Sequence, residues 1–414
     1  MELEVLVPAA RRISLDELLT WTRQQPVCMM PFAAEITDFC AGFSQRLFRD
    51  REAARHPDLA ALAFWMRKAE LLRLRDDFQR LAGAETVMLP RGLVFHLPPG
   101  NVDTIFIYSW LLAALTGNRN VVRLSTRRAP QSEILIRLLR EAMAETCGPL
   151  LHSTMVVSYG HEQQITEALS GACDVRVIWG GDHTVASIRS IPLPPHAREL
   201  TFPDRSSLAV IHAESYLKLG EDARNQLAER FFNDAYWFDQ MACSSPRLLV
   251  WCGTSEQADQ ATRAFWTCLE ACMERKHYQG IPAVQMQKFV FACQAILKLP
   301  VSEYRSAAEA TILGLESLKG YSREHCGGGL FFSARVDALA DLAPILYRKD
   351  QTMGYFGFSS NDLRSFALHL AGGGVDRIVP IGQALQFSRY WDGYDLIREF
   401  CRSLYIAGEP PAAE

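Results

Sequence analysis

Apolar positions change their rhythm near residue 93. From residue 14 to 85 they recur at helical spacing among arginines and acids. SLDELLTWTRQQ opens on Ser14, a natural cap, and residues 58–81 continue the same period. From Leu93 onward, short apolar runs alternate with helical stretches. GLVFHLPPGNVDTIFIYSWLLAALTGNRNVVRLS reads as strand, Pro/Gly turn, helix, Gly-Asn turn and strand. A helix over 131–145, the strand TMVVSY, the helix EQQITEALS and the strand VRVIWGG follow. Such alternation predicts a parallel sheet with crossover helices, the α/β class.

The strand SLAVI closes this first region, which the pattern bounds at 1–212 and divides into a helical N-terminal section and a cofactor-type domain. A second α/β domain over 213–385 contains a helix (222–234), the loop FDQMACSSP, the strand RLLVWC, two helices (257–276 and 283–297) and the strand GLFF. The tail, 386–414, is expected to pack back on the first domain or at a subunit interface, with a last helix over 394–403.

Composition narrows the class. Hydrophobic residues at 49% and charged residues at 22% describe a globular chain, not a disordered one. A net charge of -4 argues against a nucleic-acid partner or a polybasic membrane anchor. The longest apolar stretch, 105–115, is too short to span a bilayer, and no basic start leads into an apolar run. Eleven cysteines without paired spacing suit a reducing compartment, so a soluble cytoplasmic protein is expected. Cys268, Cys272 and His277 lie close together but lack zinc spacing, and no metal is expected.

Four segments carry candidate chemistry. In DQMACSSP, Cys243 falls between a helix and a strand among small residues that leave room for a substrate carbonyl, with Ser244 and Ser245 as possible donors. By spacing alone, the same segment also fits a small cysteine packed in a tight loop. In PPGNVDT, Asn101 can offer its amide to an oxyanion, or simply complete a turn. Gly180 and Gly181 end a strand and open a helix, where a pyrophosphate can approach the main chain, although the full G-x-G-x-x-G fingerprint is absent. Arg123 and Ser125, with Thr126, Arg127 and Arg128 behind them, suit a ribose or a 2′-phosphate, or a solvated basic helix start.

In this order, the segments resemble the aldehyde dehydrogenase superfamily, and more closely its acyl-CoA reductase branch, the LuxC family. The matching stretches are HLPPGNVDTIFIYSWLLAALTGNRNVVRLS, VIWGGDHTVASIR, ELTFPDRSSLAVI, FDQMACSSPRLLVW and GGGVDRIVPIGQALQFSRYWDGYDLI, from about residue 92 to 400. The resemblance implies an aldehyde-dehydrogenase-like α/β fold with a Rossmann-type cofactor domain. It makes Cys243 the nucleophile that forms an acyl thioester and Asn101 the oxyanion-hole amide. Arg123 and Ser125 become contacts to the adenosine ribose, and Gly180 and Gly181 the turn under the cofactor. Hydrolytic members carry a glutamate base near the position of Thr201, where this chain has no carboxylate, with Glu199 two residues away. The implied reaction is reduction of an activated, fatty acyl group to an aldehyde.

The superfamily's acidic ribose-binding residue is absent near Thr126, and the arginines around it favour NADPH over NADH. The acyl donor would be acyl-CoA, a carrier protein or an acyl-activating partner subunit, and a homo-oligomer is the family prior. His325 and His183 are candidate proton donors by residue type. Trp237, Phe238, Tyr355, Phe356 and Phe358 could line a chain tunnel or serve as plain core. A cysteine acyltransferase without a redox step and a non-catalytic scaffold subunit remain as alternatives.

Overall fold

The computed structural model describes residues 2–24, 29–81, 83, 85–100, 102–145, 149–307 and 309–407; for residues 149 and 307, only the main chain is described. By contacts, the chain divides into two compact units, one from Met1–Pro203 with Phe387–Glu414 and one from Asp204–Gln386.

The first unit contains β1 (Glu2–Val7), β2 (Arg11–Ser14), β3 (Thr86–Pro90), β4 (Leu93–Leu97), β5 (Arg119–Leu124), β6 (Thr154–Ser158), β7 (Val175–Trp179) and β8 (Arg198–Phe202). Seven of them form one sheet in the order β2-β1-β6-β5-β4-β7-β8. It is parallel from β6 to β8, and β1 joins β6 antiparallel. The parallel strands β4 and β6 are buried at every position, as a sheet covered on both faces requires. The helix between β4 and β5, Ile105–Leu115, is likewise buried at all eleven positions, so it shows an apolar run and no stripe.

Three expectations change in this unit. Strands β1 and β2 precede the first helix, and the alternation in ELEVLV that marks β1 is only six residues long. The helical period over 58–81 is two helices, Pro57–Trp65 and Lys68–Gln79. Of the helix expected over 394–403, only Leu396–Glu399 is helical. Cys401–Tyr405 is instead a strand, because its main chain pairs antiparallel with β3.

The second unit contains β9 (Ser206–His212), β10 (Pro246–Cys252), β11 (Val301–Ala307), β12 (Ala310–Leu315), β13 (Leu330–Val336), β14 (Asp350–Phe356) and β15 (Arg377–Pro380). Their order is β11-β12-β13-β10-β9-β14-β15, parallel except at the β11–β12 edge. Strand β9 therefore lies inside the second sheet, between β10 and β14, not at the close of the first domain where the sequence pattern put SLAVI. Alternate residues of these strands feed two cores. Ala209, Ile211, Leu249, Trp251 and Phe331 pack with the helices Glu221–Tyr236 and Ser255–Arg275. Leu208, Val210, Leu248, Val250 and Phe332 pack on the other face with Ala292, Ala295 and Phe366 of the helices Pro282–Lys298 and Ser360–His369. Cys272 lies inside the first of these cores with Cys268 packed against it.

Candidate active site

The chain runs from the helix Glu221–Tyr236 to β10 through a loop that turns sharply at Asp239 and Gln240, with φ of 48° and 63°. Two adjacent non-glycine residues in the left-handed region cost about 1–2 kcal/mol each, so something must hold them. Gln240 does much of this. It is 1% exposed, and its Nε2 donates to the carbonyls of Pro246 and Leu330, both at 2.9 Å. Its Oε1 accepts from the Gly329 N–H at 3.1 Å. Asp239 accepts from the Gly328 N–H (2.8 Å) through its carbonyl and from Tyr278 Oη (2.7 Å) through its carboxylate. Glycines 327–329 all have positive φ. A Cβ on Gly327 would meet Met241 Sδ at 2.5 Å and Asp239 O at 2.9 Å, so only glycine lets this run lie against the loop.

Cys243 is half-buried in that loop. Its carbonyl accepts from Ser207 Oγ at 2.7 Å, and its sulfur accepts from Gln351 Nε2 at 3.3 Å. Ser207, Pro246, Leu330 and Gln351 all lie at the amino ends of neighbouring parallel strands, β9, β10, β13 and β14. Ser244 and Ser245, the expected donors, are 2% and 0% exposed, and the Ser245 hydroxyl finds no partner among the described residues.

Arg247 follows on β10. It is buried, with Nη1 donating to Arg205 O at 3.0 Å, and among the described residues its Nε has no partner and no carboxylate lies within ion-pair distance of it. Burial pulls its pKa below the usual guanidinium range, against the opposing charges of Asp204, Cys243 and Tyr321. His325 lies within reach of the same cation. Burial first, then Arg247, lowers it to about 4, so it is neutral near pH 7, and its buried Nδ1 has no partner among the described residues. Among the described residues no histidine is hydrogen-bonded to the Cys243 sulfur, and His183 belongs to the first unit and is exposed. Of the aromatic residues, Trp237 is 44% exposed, whereas Phe356 and Phe358 pack against the two cores.

The remaining candidates belong to the first unit. Gly180 and Gly181 leave the carboxyl end of β7, and Gly181 is the cap residue of the helix Asp182–Arg189. A Cβ on Gly180 would press on Thr184 at 3.2 Å, whereas one on Gly181 would meet nothing within 4 Å. The fold itself therefore leaves space at Gly181. Asp182 in the first turn already places a negative charge at that helix start.

Arg123, expected to contact the adenosine ribose, has Nη2 donating to the carbonyls of Tyr159 (3.1 Å) and Gly160 (2.5 Å). Ser125 is half-buried, and its Oγ accepts from the Arg127 N–H at 3.3 Å. Arg128 pairs with Glu133 at 2.6 Å, which leaves exposed Arg127 as the more available cation of the group. Glu199 is held by Arg176 Nε at 2.8 Å and Arg189 Nε at 3.0 Å, so it is a structural carboxylate. Asn101 lies outside the described residues.

Two doubly covered, mainly parallel sheets, with a thiol loop leading into one of them, define an aldehyde-dehydrogenase-like fold. The solved aldehyde dehydrogenase of Mycobacterium tuberculosis, complexed with NAD+, matches with a TM-score of 0.66 at 12% identity, over 97% of this chain and 92% of that one. The sequence model of the acyl-CoA reductase (LuxC) family matches residues 72–289, more than half of the chain, and the chain belongs to that family. The long-chain acyl-protein thioester reductase of Aliivibrio fischeri is 26% identical over 166 residues, 40% of this chain and 33% of that protein. Its counterpart from Vibrio harveyi is 23% identical over 334 residues, 78% of this chain and 65% of that one. The matches thus span about a third of the first relative's length and just under two thirds of the second's.

Proposed function

We propose that this chain accepts an activated fatty acyl group on Cys243 as a thioester and reduces it with NADPH to an aldehyde. The observation that carries this reading is the half-buried Cys243, its sulfur held by the buried Gln351 amide in a loop fixed on both sides. Family membership and the relatives' printed names, long-chain acyl-protein thioester reductases, support it.

In this account, the thiolate attacks the acyl carbonyl, and the Asn101 amide with the Cys243 N–H holds the oxyanion. The donor then leaves as its free thiol or other conjugate group. Ser125 and Arg127 would bind the adenosine ribose and its phosphate, with Arg123 behind them, and the open main chain at Gly181, next to Gly180, fits close approach of a dinucleotide. The nicotinamide, when bound, supplies the hydride that reduces the thioester. Because Glu199 is engaged by two arginines and Thr201 carries no carboxylate, neither position offers a base to activate water, which spares the thioester from hydrolysis.

The donor is acyl-CoA or an acyl group on a carrier or activating protein, and the relatives' names favour the protein-bound form. The test is aldehyde release, trapped as a hydrazone, from medium- and long-chain acyl-CoA and from an acylated carrier protein, with NADPH or NADH. Aldehyde made with NADPH and lost in Cys243→Ala supports the reading. Acyl transfer to an added amine or alcohol without any nicotinamide requirement would replace it with an acyltransferase.

A further inference from the structure

The dipeptide Gln351-Thr352 grips Cys243 from two directions. Gln351 Nε2 donates to the sulfur at 3.3 Å. The Thr352 N–H donates at 3.2 Å to Ser207 Oγ, which in turn donates to the Cys243 carbonyl at 2.7 Å. The Gln351 amide is oriented as well as placed, because Thr352 Oγ1 donates to its Oε1 at 3.3 Å and so leaves the NH2 end towards the sulfur. Both residues are fully buried, so water does not compete for these donors.

An amide nitrogen cannot accept a hydrogen bond, so in this contact the sulfur must be the acceptor. A thiol sulfur accepts weakly, whereas a thiolate forms a charge-assisted bond roughly twice as strong as a neutral one. The geometry therefore favours the ionised nucleophile. The charged and titratable groups around the loop act in the same direction on balance. Arg247 on β10 is a buried cation with no carboxylate in ion-pair distance among the described residues, and the charges of Arg247 and Cys243 attract one another. Lys349 precedes β14, Asp204 precedes β9 and offsets part of the positive charge, and His325 is neutral.

Resting on the reading of Cys243 as the nucleophile, we propose that Gln351 is a catalytic residue whose side-chain N–H binds the Cys243 sulfur and holds it as the thiolate. Activation of this thiol then needs no histidine base.

The test is the pH profile of Cys243 alkylation by iodoacetamide in the full chain, followed by mass spectrometry of the Cys243 peptide. It needs neither acyl donor nor cofactor, so it can succeed or fail independently of the reductase reading. Wild type should show a midpoint below the ordinary thiol value of about 8.5. Gln351→Met should raise it by about one to two pH units, the equivalent of one hydrogen bond to a charged group. A folded Gln351→Met protein with an unchanged or lowered midpoint overturns the proposal. Gln351→Asn, which keeps the amide but withdraws it by one methylene, is judged by the same criterion if the Met variant does not fold by circular dichroism.

Discussion

The two candidate sites occupy opposite ends of their own sheets. In the first unit, Ser125, Gly180 and Gly181 follow the carboxyl ends of β5 and β7, where the main chain turns toward helix N-termini. In the second, the groups that hold Cys243 lie at the amino ends of β9, β10, β13 and β14, where the chain arrives from elsewhere. Carboxyl ends offer free backbone N–H groups to an anionic ligand. The amino-end site takes its polar contacts from side chains instead, and here Gln240, Gln351 and Ser207 provide them. One candidate site is an open turn that a dinucleotide would complete, and the other is a pre-set clamp on a single cysteine.

The contrast can be broken by mutation. The largest effect should come from Gln240→Leu, which strands two carbonyls and one N–H, each unmet partner costing about 1–3 kcal/mol. A loss of about 3 kcal/mol in denaturant unfolding is expected, and a loss under about 1 kcal/mol would show that the clamp is not holding the loop. Next come two glycines. Gly329→Ala places a Cβ 2.5 Å from Glu309 O at φ +80° and should cost about 2 kcal/mol or more. Gly181→Ala meets nothing within 4 Å and should leave stability unchanged within about 0.5 kcal/mol while weakening NADPH binding several-fold. Equal stability losses in both variants would erase the distinction between the clamp and the open turn.

Titration sharpens the comparison at smaller amplitude. His96 in the first unit, with both ring nitrogens bonded to Ser109 and Asn120, is lowered to about 4 by burial, with the Asn120 bond opposing. His325 in the second is lowered to about 4 by burial and by Arg247. Each has a folded pKa below its ordinary 6.5, so each contributes stability that is complete above that value and lost as pH falls toward 4. Stability measured across that interval should decline in wild type and decline less in His325→Asn. An identical slope in the variant would contradict the neutral assignment. Smallest of all, Arg127→Ala should weaken NADPH binding a few-fold more than NADH binding in calorimetric titrations, since Arg128 is already neutralised by Glu133.

Much of the fold was legible because strand–helix alternation is a local signal. The exceptions are informative: β1 and β2 are short, and Cys401–Tyr405 is a strand only because β3 lies beside it. Of the candidate site, sequence singles out Cys243, where small neighbours and the family's motif coincide. It does not single out its partners, because a glutamine carries no motif and acts here across long separations, 90 residues from Gln240 to Leu330 and 108 from Gln351 to Cys243. The signal that was available is the Gly327–Gly329 run, since three successive glycines mark a close main-chain approach, and the surface they approach is the thiol loop. At the cationic cluster 123–128, sequence shows the charges but not that Arg123 and Arg128 are engaged within the fold.

The central claim is that Cys243 carries the acyl group between donor and reduction. Its most direct test is the mass of the intact chain after incubation with a long-chain acyl donor, before and after NADPH is added, in wild type and in Cys243→Ala. The account predicts one acyl mass on wild type only, removed with release of aldehyde when NADPH is supplied. An acyl mass that also appears on Cys243→Ala, or that stays on the wild type in the presence of NADPH, would contradict it.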